Sequence, residues 1–225
     1  NGNKWYDGEW KYNTYDGKGI SYWENGKKEY DGEWKDDKRN GKGIVYYEHS
    51  GNKWYDGEWK DDKWNGKGIS FDDGKKTYEG EWKDDKRNGK GISYWENGNK
   101  WYDGEWKYNT YDGKGISYWE NGKKEYDGEW KDDKRNGKGI VYYEHSGNKW
   151  YDGEWKDDKW NGKGISFDDG KKTYEGEWKD DKRNGKGISY WENGNKWYDG
   201  EWKYNTYDGK GISYWENGKK EYDGE

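Results

Sequence analysis

The fold is decided by a stretch that recurs throughout the chain, Tyr30-Asp31-Gly32-Glu33-Trp34-Lys35-Asp36-Asp37-Lys38-Arg39-Asn40-Gly41-Lys42-Gly43-Ile44. The Tyr-x-Gly-x-Trp opening also begins at Tyr6, Tyr55, Tyr78, Tyr102, Tyr126, Tyr151, Tyr174 and Tyr198, and a tenth opening begins at Tyr222. Successive openings are 24, 25, 23 and 24 residues apart, and the cycle then repeats with a period of 96. A fixed period of about 24 residues is typical of repeat arrays.

The copies define the predicted domain organisation. Residues 97–192 reproduce residues 1–96, and residues 193–225 begin a third copy. The spacing leaves no room for a linker, so we predict a single repeat array over residues 1–225. The chain does not start with Met and stops within a motif, so we expect it to be part of a longer protein.

The composition favours a sheet covered with rings. A mean hydropathy of −1.96 and 41% charged residues would usually indicate disorder. However, the chain contains 21 Trp and 25 Tyr residues, and each large ring can bury about 150–250 Å². Pro, Cys and Met are absent. Because Cys is absent, disulfides and thiolate metal sites are excluded.

The charge pattern limits the possible partners. The net charge of −6 is spread evenly through the repeats, and the basic block expected of a nucleic-acid-binding protein is missing. No apolar run reaches the roughly 18 residues of a membrane-spanning helix. We expect no cofactor and no nucleic-acid partner, whereas contact with a membrane surface stays possible. An extracellular fibre and a cytoplasmic scaffold are both compatible with this composition.

Two strands are predicted for each repeat of about 24 residues. Residues 6–11 alternate strictly between Tyr, Gly or Trp and charged residues, which is the period of a half-buried strand. Residues 36–40 read as a five-residue turn, and residues 17–24 as the second strand. Asn25-Gly26 is a strong hairpin signal. The predicted fold is all-β, an elongated, solenoid-like antiparallel meander of stacked hairpins.

The expected register places the rings and the isoleucines together. If Lys11 pairs with Gly17, then Trp10 meets Lys18, Gly8 meets Ile20 and Tyr6 meets Tyr22. A slip by one residue would move every isoleucine to the charged face, so we prefer the first register. The predicted packing and self-association face consists of Tyr6, Trp10, Ile20, Tyr22, Tyr30, Trp34, Ile44, Tyr55, Trp59, Ile69, Tyr78, Trp82 and Ile92.

The motif resembles the MORN repeat, in which a Tyr-Glu-Gly-Glu-Trp opening is followed by Gly-x-Gly and a hairpin. Residues 78–83 and the Gly89-Lys90-Gly91 segment match that pattern residue by residue. Where the family often has Gly three residues after the Trp, this chain has Asn13, Asp37, Asp62 and Asp85. The resemblance implies a scaffold, a self-association surface or a membrane-adjacent module, with lipid binding proposed for some members, and it carries over no catalytic residues. A weaker similarity is to aromatic-rich wall-binding repeats.

Catalytic and metal sites are not favoured by the sequence. His49 and His145 lie in turns, with Glu48 the only neighbouring candidate ligand for His49. The Asp-Asp pairs at 36–37, 61–62 and 84–85 lack the spacing of a calcium loop, so we interpret them as solvated turn charges. A regular sheet offers no cleft for a carboxylate pair of a glycosidase. We therefore predict that the protein is not an enzyme.

The ring face gives the functional hypothesis. A single sheet without a covering helix would expose an apolar patch larger than monomers usually show. We therefore expect self-association, side by side or end to end, and a structural protein that forms fibres. The alternative is a binding module whose exposed rings contact glycan or phospholipid head groups. The possible ligand-contacting rings are Trp5, Trp23, Trp64 and Trp95.

Overall fold

The computed structural model describes residues 2–224, and strands joined by turns make up the regular structure within that range, with no helix in it. The all-β prediction is confirmed. Asn1 and Glu225, the ends of the predicted array, lie outside the described residues. No helix in the described range is long and apolar enough to cross a membrane. The chain divides into two compact units, residues 1–110 and 111–225.

The first unit is an open antiparallel meander in which consecutive strands pair, from the first strand to the ninth. Its strands are β1 (Tyr6–Lys11), β2 (Thr14–Tyr22), β3 (Lys28–Lys35), β4 (Lys38–Tyr46), β5 (Lys53–Lys60), β6 (Lys63–Asp72), β7 (Lys75–Lys83), β8 (Lys86–Tyr94) and β9 (Lys100–Lys107).

The second unit has the same architecture, with antiparallel pairing of consecutive strands. Its strands are β10 (Thr110–Tyr118), β11 (Lys124–Lys131), β12 (Lys134–Tyr142), β13 (Lys149–Lys156), β14 (Lys159–Asp168), β15 (Lys171–Lys179), β16 (Lys182–Tyr190), β17 (Lys196–Lys203), β18 (Thr206–Tyr214) and β19 (Lys220–Gly224).

A turn of only two residues joins the strands of each hairpin. Between β3 and β4 these residues are Asp36 and Asp37, with φ of 48° and 64°. Positive φ at both central residues is what a type I′ turn requires. Lys35 and Lys38 pair directly across it. The predicted five-residue turn at 36–40 is wrong, because two residues that tolerate left-handed backbone are enough to reverse the chain.

A bulge follows the turn in each hairpin. Gly32 pairs with Gly43 and Trp34 pairs with Arg39, so three residues of β4 lie opposite the single residue Glu33 of β3. The middle one of the three is Gly41, with φ of 78°. A positive φ is the left-handed conformation for which Gly is favoured at bulges. The first glycine of Gly-x-Gly therefore makes the bulge.

The turn and the bulge together change the register. In the first hairpin Tyr6 pairs with Ser21, Asp7 with Ile20, Gly8 with Gly19, Trp10 with Tyr15 and Lys11 with Thr14. The predicted pairs Tyr6–Tyr22, Gly8–Ile20, Trp10–Lys18 and Lys11–Gly17 are wrong. The observed pairing is the slipped one, in which isoleucines move to the charged face.

The isoleucines consequently lie on the charged face of the sheet, on the other side from the rings. Ile44 pairs with Asp31 on one side and with Asp56 on the other. Lys28 forms an ion pair with Asp31 at 2.7 Å on the same face. The placement on the ring face is therefore wrong for Ile20, Ile44, Ile69, Ile92 and Tyr22. Their place in the core is taken by residues such as Val45 and Ser93, which are 2% and 1% exposed.

Candidate functional site

The opening tyrosines form the innermost rank of the ring face. Tyr30, Tyr55 and Tyr78 are 0% exposed. The ring of Tyr30 lies over the glycine pair Gly32 and Gly43, where an added Cβ would overlap it. Its hydroxyl donates a hydrogen bond to the carbonyl oxygen of Glu33 at 3.0 Å. Burial raises the pKa of Tyr30 far above its ordinary value.

The tryptophans of the motif tie consecutive hairpins together. Trp59 lies edge-to-face between two tyrosines, with ring centroids 5.4 Å from Tyr30 and 5.3 Å from Tyr55. Its indole Nε1 donates to the carbonyl oxygen of Gly43, in the preceding hairpin, at 3.0 Å. Trp59 is 4% exposed. Because the contact recurs in successive repeats, each interior hairpin shares its core with the hairpin before it.

A third rank of side chains covers the tyrosines. The guanidinium of Arg39 lies 4.5 Å from the centroid of Trp59. At the equivalent position of the next hairpin, Trp64 stacks on Tyr55 at 4.3 Å with an interplanar angle of 5°. Interior rings are thus covered by the chain itself. The premise that the ring face needs a second chain to cover it is wrong, because Arg and Trp of the second strand fold over it.

The four rings predicted to contact ligands lie in different environments. Trp5 is 70% exposed. Trp23 is half-buried and donates from Nε1 to the carbonyl oxygen of Tyr46 at 3.2 Å. Trp64 belongs to the covering rank on Tyr55. Trp95 stacks on Trp101 with centroids 5.1 Å apart. The structure does not bring these four rings together.

A different set of rings is accessible, which the sequence analysis missed. Trp54, Trp101, Trp150 and Trp197 are each 40–43% exposed. Each stacks or packs obliquely on a ring from the preceding strand end, and these four contacts are called here the ring pairs. They are Tyr47–Trp54, Trp95–Trp101, Tyr143–Trp150 and Trp191–Trp197, with centroids 5.1–5.5 Å apart. The available signal was the Trp immediately before the opening Tyr in every second repeat, where the alternate repeats have Glu or Thr.

The second turn residue also has a role that the sequence analysis missed. The Oδ1 atom of Asp62 accepts a hydrogen bond from the backbone N–H of Arg39 at 2.9 Å. The backbone N–H of Asp62 donates to the carbonyl oxygen of Arg39 at 3.0 Å. Asn109 makes the same two bonds with Arg87, at 2.8 and 3.0 Å. This reciprocal pair, called here the turn clasp, connects neighbouring hairpins, so the second Asp is more than a solvated charge.

Open polar grooves run beside the two-residue turns, and we call them the turn grooves. One has a volume of about 840 Å³ and is lined by four lysines and four carboxylates, together with Asn40, Asn65 and the edge of Trp59. The next groove shares Lys60, Asp61, Asn65 and Gly66 with it. Two grooves of about 800 and 1000 Å³ in the second unit share lining residues in the same way.

The remaining candidate residues do not assemble into a site. His49 and His145 are exposed in their turns, and the carbonyl oxygen of each accepts a hydrogen bond from a lysine, Lys27 or Lys123. Within residues 2–224 no three His, Cys, Asp or Glu side chains come together as metal ligands would.

A family model agrees with the geometry of the repeats. The MORN repeat model matches residues 6–28, 30–48, 55–76, 78–100, 102–124, 126–144, 151–172, 174–196 and 198–220. Comparison with curated proteins found no match. Proteins built from such repeats are generally non-catalytic, and the repeats indicate a binding or scaffold role. The nine matches cover most of the chain, and the chain therefore belongs to the MORN-repeat family.

Proposed function

We propose that this chain is a non-catalytic scaffold that holds its partners by offering the same surface at regular intervals. The observation that carries the proposal is the closure of the core within the chain: Tyr30 is 0% exposed and Trp59 is 4% exposed. Because interior repeats need no second chain to bury their rings, their outer surface is available to partners.

The electrostatics of the chain support a non-catalytic role. The strongly shifted pKa values belong to tyrosines such as Tyr55, whose pKa is raised by burial beneath other rings. Catalytic groups with shifted pKa values are instead expected in a cleft that a substrate can reach. The lysine–carboxylate pairs, such as Lys53–Asp56 at 2.8 Å, have both side chains well exposed, as in ordinary surface ion pairs.

The ring pairs are the apolar part of the proposed display surface. Trp54 and Trp101 recur after four strands of the first unit, which corresponds to about 19 Å at the usual strand spacing. Between them the equivalent position is Thr77, whose hydroxyl bonds to Ser70 at 2.8 Å. The fold therefore accepts a small polar residue where the ring pairs have Trp.

The chain's own sequence supplies the test. We would replace Trp54, Trp101, Trp150 and Trp197 with Thr, the residue present at 77 and 173. If these rings serve display, the quadruple variant should keep its circular dichroism spectrum and melt within a few degrees of the original protein. Trp59→Ala, which empties a core position, should cost about 3–5 kcal/mol. Loss of β-structure in the quadruple variant would mean that the rings are core, and the display surface would be refuted.

Self-association through the ring pairs is the second candidate, favoured by the exposure of four large apolar rings. Sedimentation velocity over a range of concentrations tests it. Growth of the particles with concentration in the original protein, absent from the quadruple variant, would support it. A constant coefficient near that of a 27.1 kDa monomer would refute it. Cosedimentation with anionic vesicles tests contact with a membrane surface in the same two proteins.

A further inference from the structure

The turn grooves have a property that neither the core nor the ring pairs explain: grooves of neighbouring hairpins adjoin and share wall residues. In the first unit two grooves share four residues, including Lys60 and Asn65. In the second unit two grooves share five, including Lys156 and Asn161. Adjoining grooves in a row are suited to a linear ligand, because one extended chain can contact several of them.

The chemistry of the grooves repeats with the hairpins. The recurring lining is a Glu from the first strand, Lys and Asp at the turn, and Asn, Gly and Lys from the second strand, with the edge of the motif Trp. Consecutive hairpins are separated by about 9.5 Å at the usual strand spacing. A polymer with a regular covalent repeat would therefore meet the same hydrogen-bonding groups again and again.

The charges in each groove balance. Both of the larger grooves are lined by four lysines and four carboxylates. Binding of nucleic acids and other polyanions relies on an excess of basic groups. A balanced lining has no such excess, so it favours a ligand without net charge.

Amide side chains in the grooves lack partners. Asn40, Asn65, Asn136 and Asn161 make no side-chain hydrogen bond to the described residues. Each amide offers two donors and an acceptor, which suits a hydroxyl because a hydroxyl both donates and accepts. The scarcity of apolar lining disfavours a hydrophobic peptide.

We infer that the turn grooves bind a neutral, linear, hydroxyl-rich polymer, that is, a neutral polysaccharide lying along consecutive hairpins. The amides of Asn65 and Asn161 take a central place, because each lines two adjoining grooves. Since neighbouring grooves adjoin, affinity should rise with oligosaccharide length beyond the span of one groove. The site is separate from the ring pairs.

The test is affinity gel electrophoresis of the full chain in gels that contain laminarin or hydroxyethyl cellulose, with heparin as the polyanion probe. The variants are Asn65→Ala with Asn161→Ala, and the quadruple Trp→Thr variant as a matched control that leaves the grooves intact. We expect retardation by at least one glucan and none by heparin. The Asn variant should bind about tenfold more weakly, while the control should bind like the original protein.

Each of the following results would overturn the inference. The original protein could migrate freely in both glucans, or be retarded by heparin alone. The Asn variant, with an unchanged melting curve, could bind as tightly as the original. The Trp→Thr control could lose binding while the Asn variant kept it, which would move the glycan to the ring pairs. A loss of binding in both variants, with both melting curves unchanged, would contradict the separation of the two surfaces.

Discussion

The ring of Tyr30 lies directly over the backbone of Gly43, in the partner strand of the same hairpin, where any Cβ would overlap it. The hydroxyl reaches past the glycine pair to the carbonyl of Glu33 at 3.0 Å. This contact explains why the motif has Tyr two residues before a Gly and a second Gly opposite. The buried ring packs against the backbone of the two glycines.

The first prediction follows from that contact. Gly43→Ala places a methyl group where the Tyr30 ring lies, and the ring cannot move aside easily because it is fully buried. We expect a loss of about 1–3 kcal/mol in unfolding free energy, measured by urea denaturation. Lys42→Ala, at the exposed neighbouring position, serves as the control and should change stability little. Equal effects of the two substitutions would contradict the role given to Gly43.

Sequence reasoning reached the repeat, the hairpins and the Tyr and Trp ranks because each has a local signal. It missed the register because that depends on Gly41, whose positive φ creates a bulge, and on turn residues that look alike in sequence whether two or five of them form the turn. Arg39 falls within the turn predicted at 36–40, yet its guanidinium lies over Trp59. The covering rank could not be predicted, since it results from that changed register.

Ser93 supplies a second prediction. Its hydroxyl is buried without a partner, and it pairs with Tyr102 as Val45 pairs with Tyr55. Ser93→Val should therefore stabilise the protein by about 1 kcal/mol, because an unsatisfied buried hydroxyl is removed. Ser21→Val is the contrasting change, since the Ser21 hydroxyl donates to Glu29 at 2.9 Å, and it should destabilise. Thermal melts of both variants check the prediction, and a destabilising Ser93→Val would contradict it.

The turn clasp gives a third prediction. Asp62→Gly keeps a residue that accepts φ of 66° but removes the acceptor for the Arg39 N–H. The lost bond, worth about 1.5–3 kcal/mol for a charged acceptor, should exceed the relief of backbone strain. We expect a net loss near 1 kcal/mol for Gly and a smaller loss for Asp62→Asn. Asn keeps the clasp, as Asn109 shows, and loses only the charge that Asp62 pairs with Arg39 Nε at 3.2 Å. Equal stability of the Gly and Asn variants would show that the clasp contributes nothing.

Alkaline pH supplies a fourth prediction. Burial raises the pKa of Tyr174 to about 12, and that of Tyr30 still further, from an ordinary value of 10.0. Folded stability is therefore complete below pH 10 and falls as the pH rises above 10, because only the unfolded chain releases these protons. Between pH 10 and the raised pKa of the folded state, each such tyrosine lowers the free energy of unfolding by about 1.4 kcal/mol per pH unit. Phenolate absorbance and circular dichroism should change together in one transition. Ionisation of nearly all tyrosines near pH 10 with the β-signal retained would contradict the buried rank.

The most direct test of the central claim, that the aromatic core is closed within one chain, is the melting temperature measured over a wide range of protein concentrations. A core completed by a second chain would make the melting temperature rise with concentration, because association then stabilises the folded state. We predict a constant melting temperature, with a folded monomer of 27.1 kDa at the lowest concentration. A melting temperature that falls on dilution, with loss of β-structure as the particles dissociate, would contradict the account.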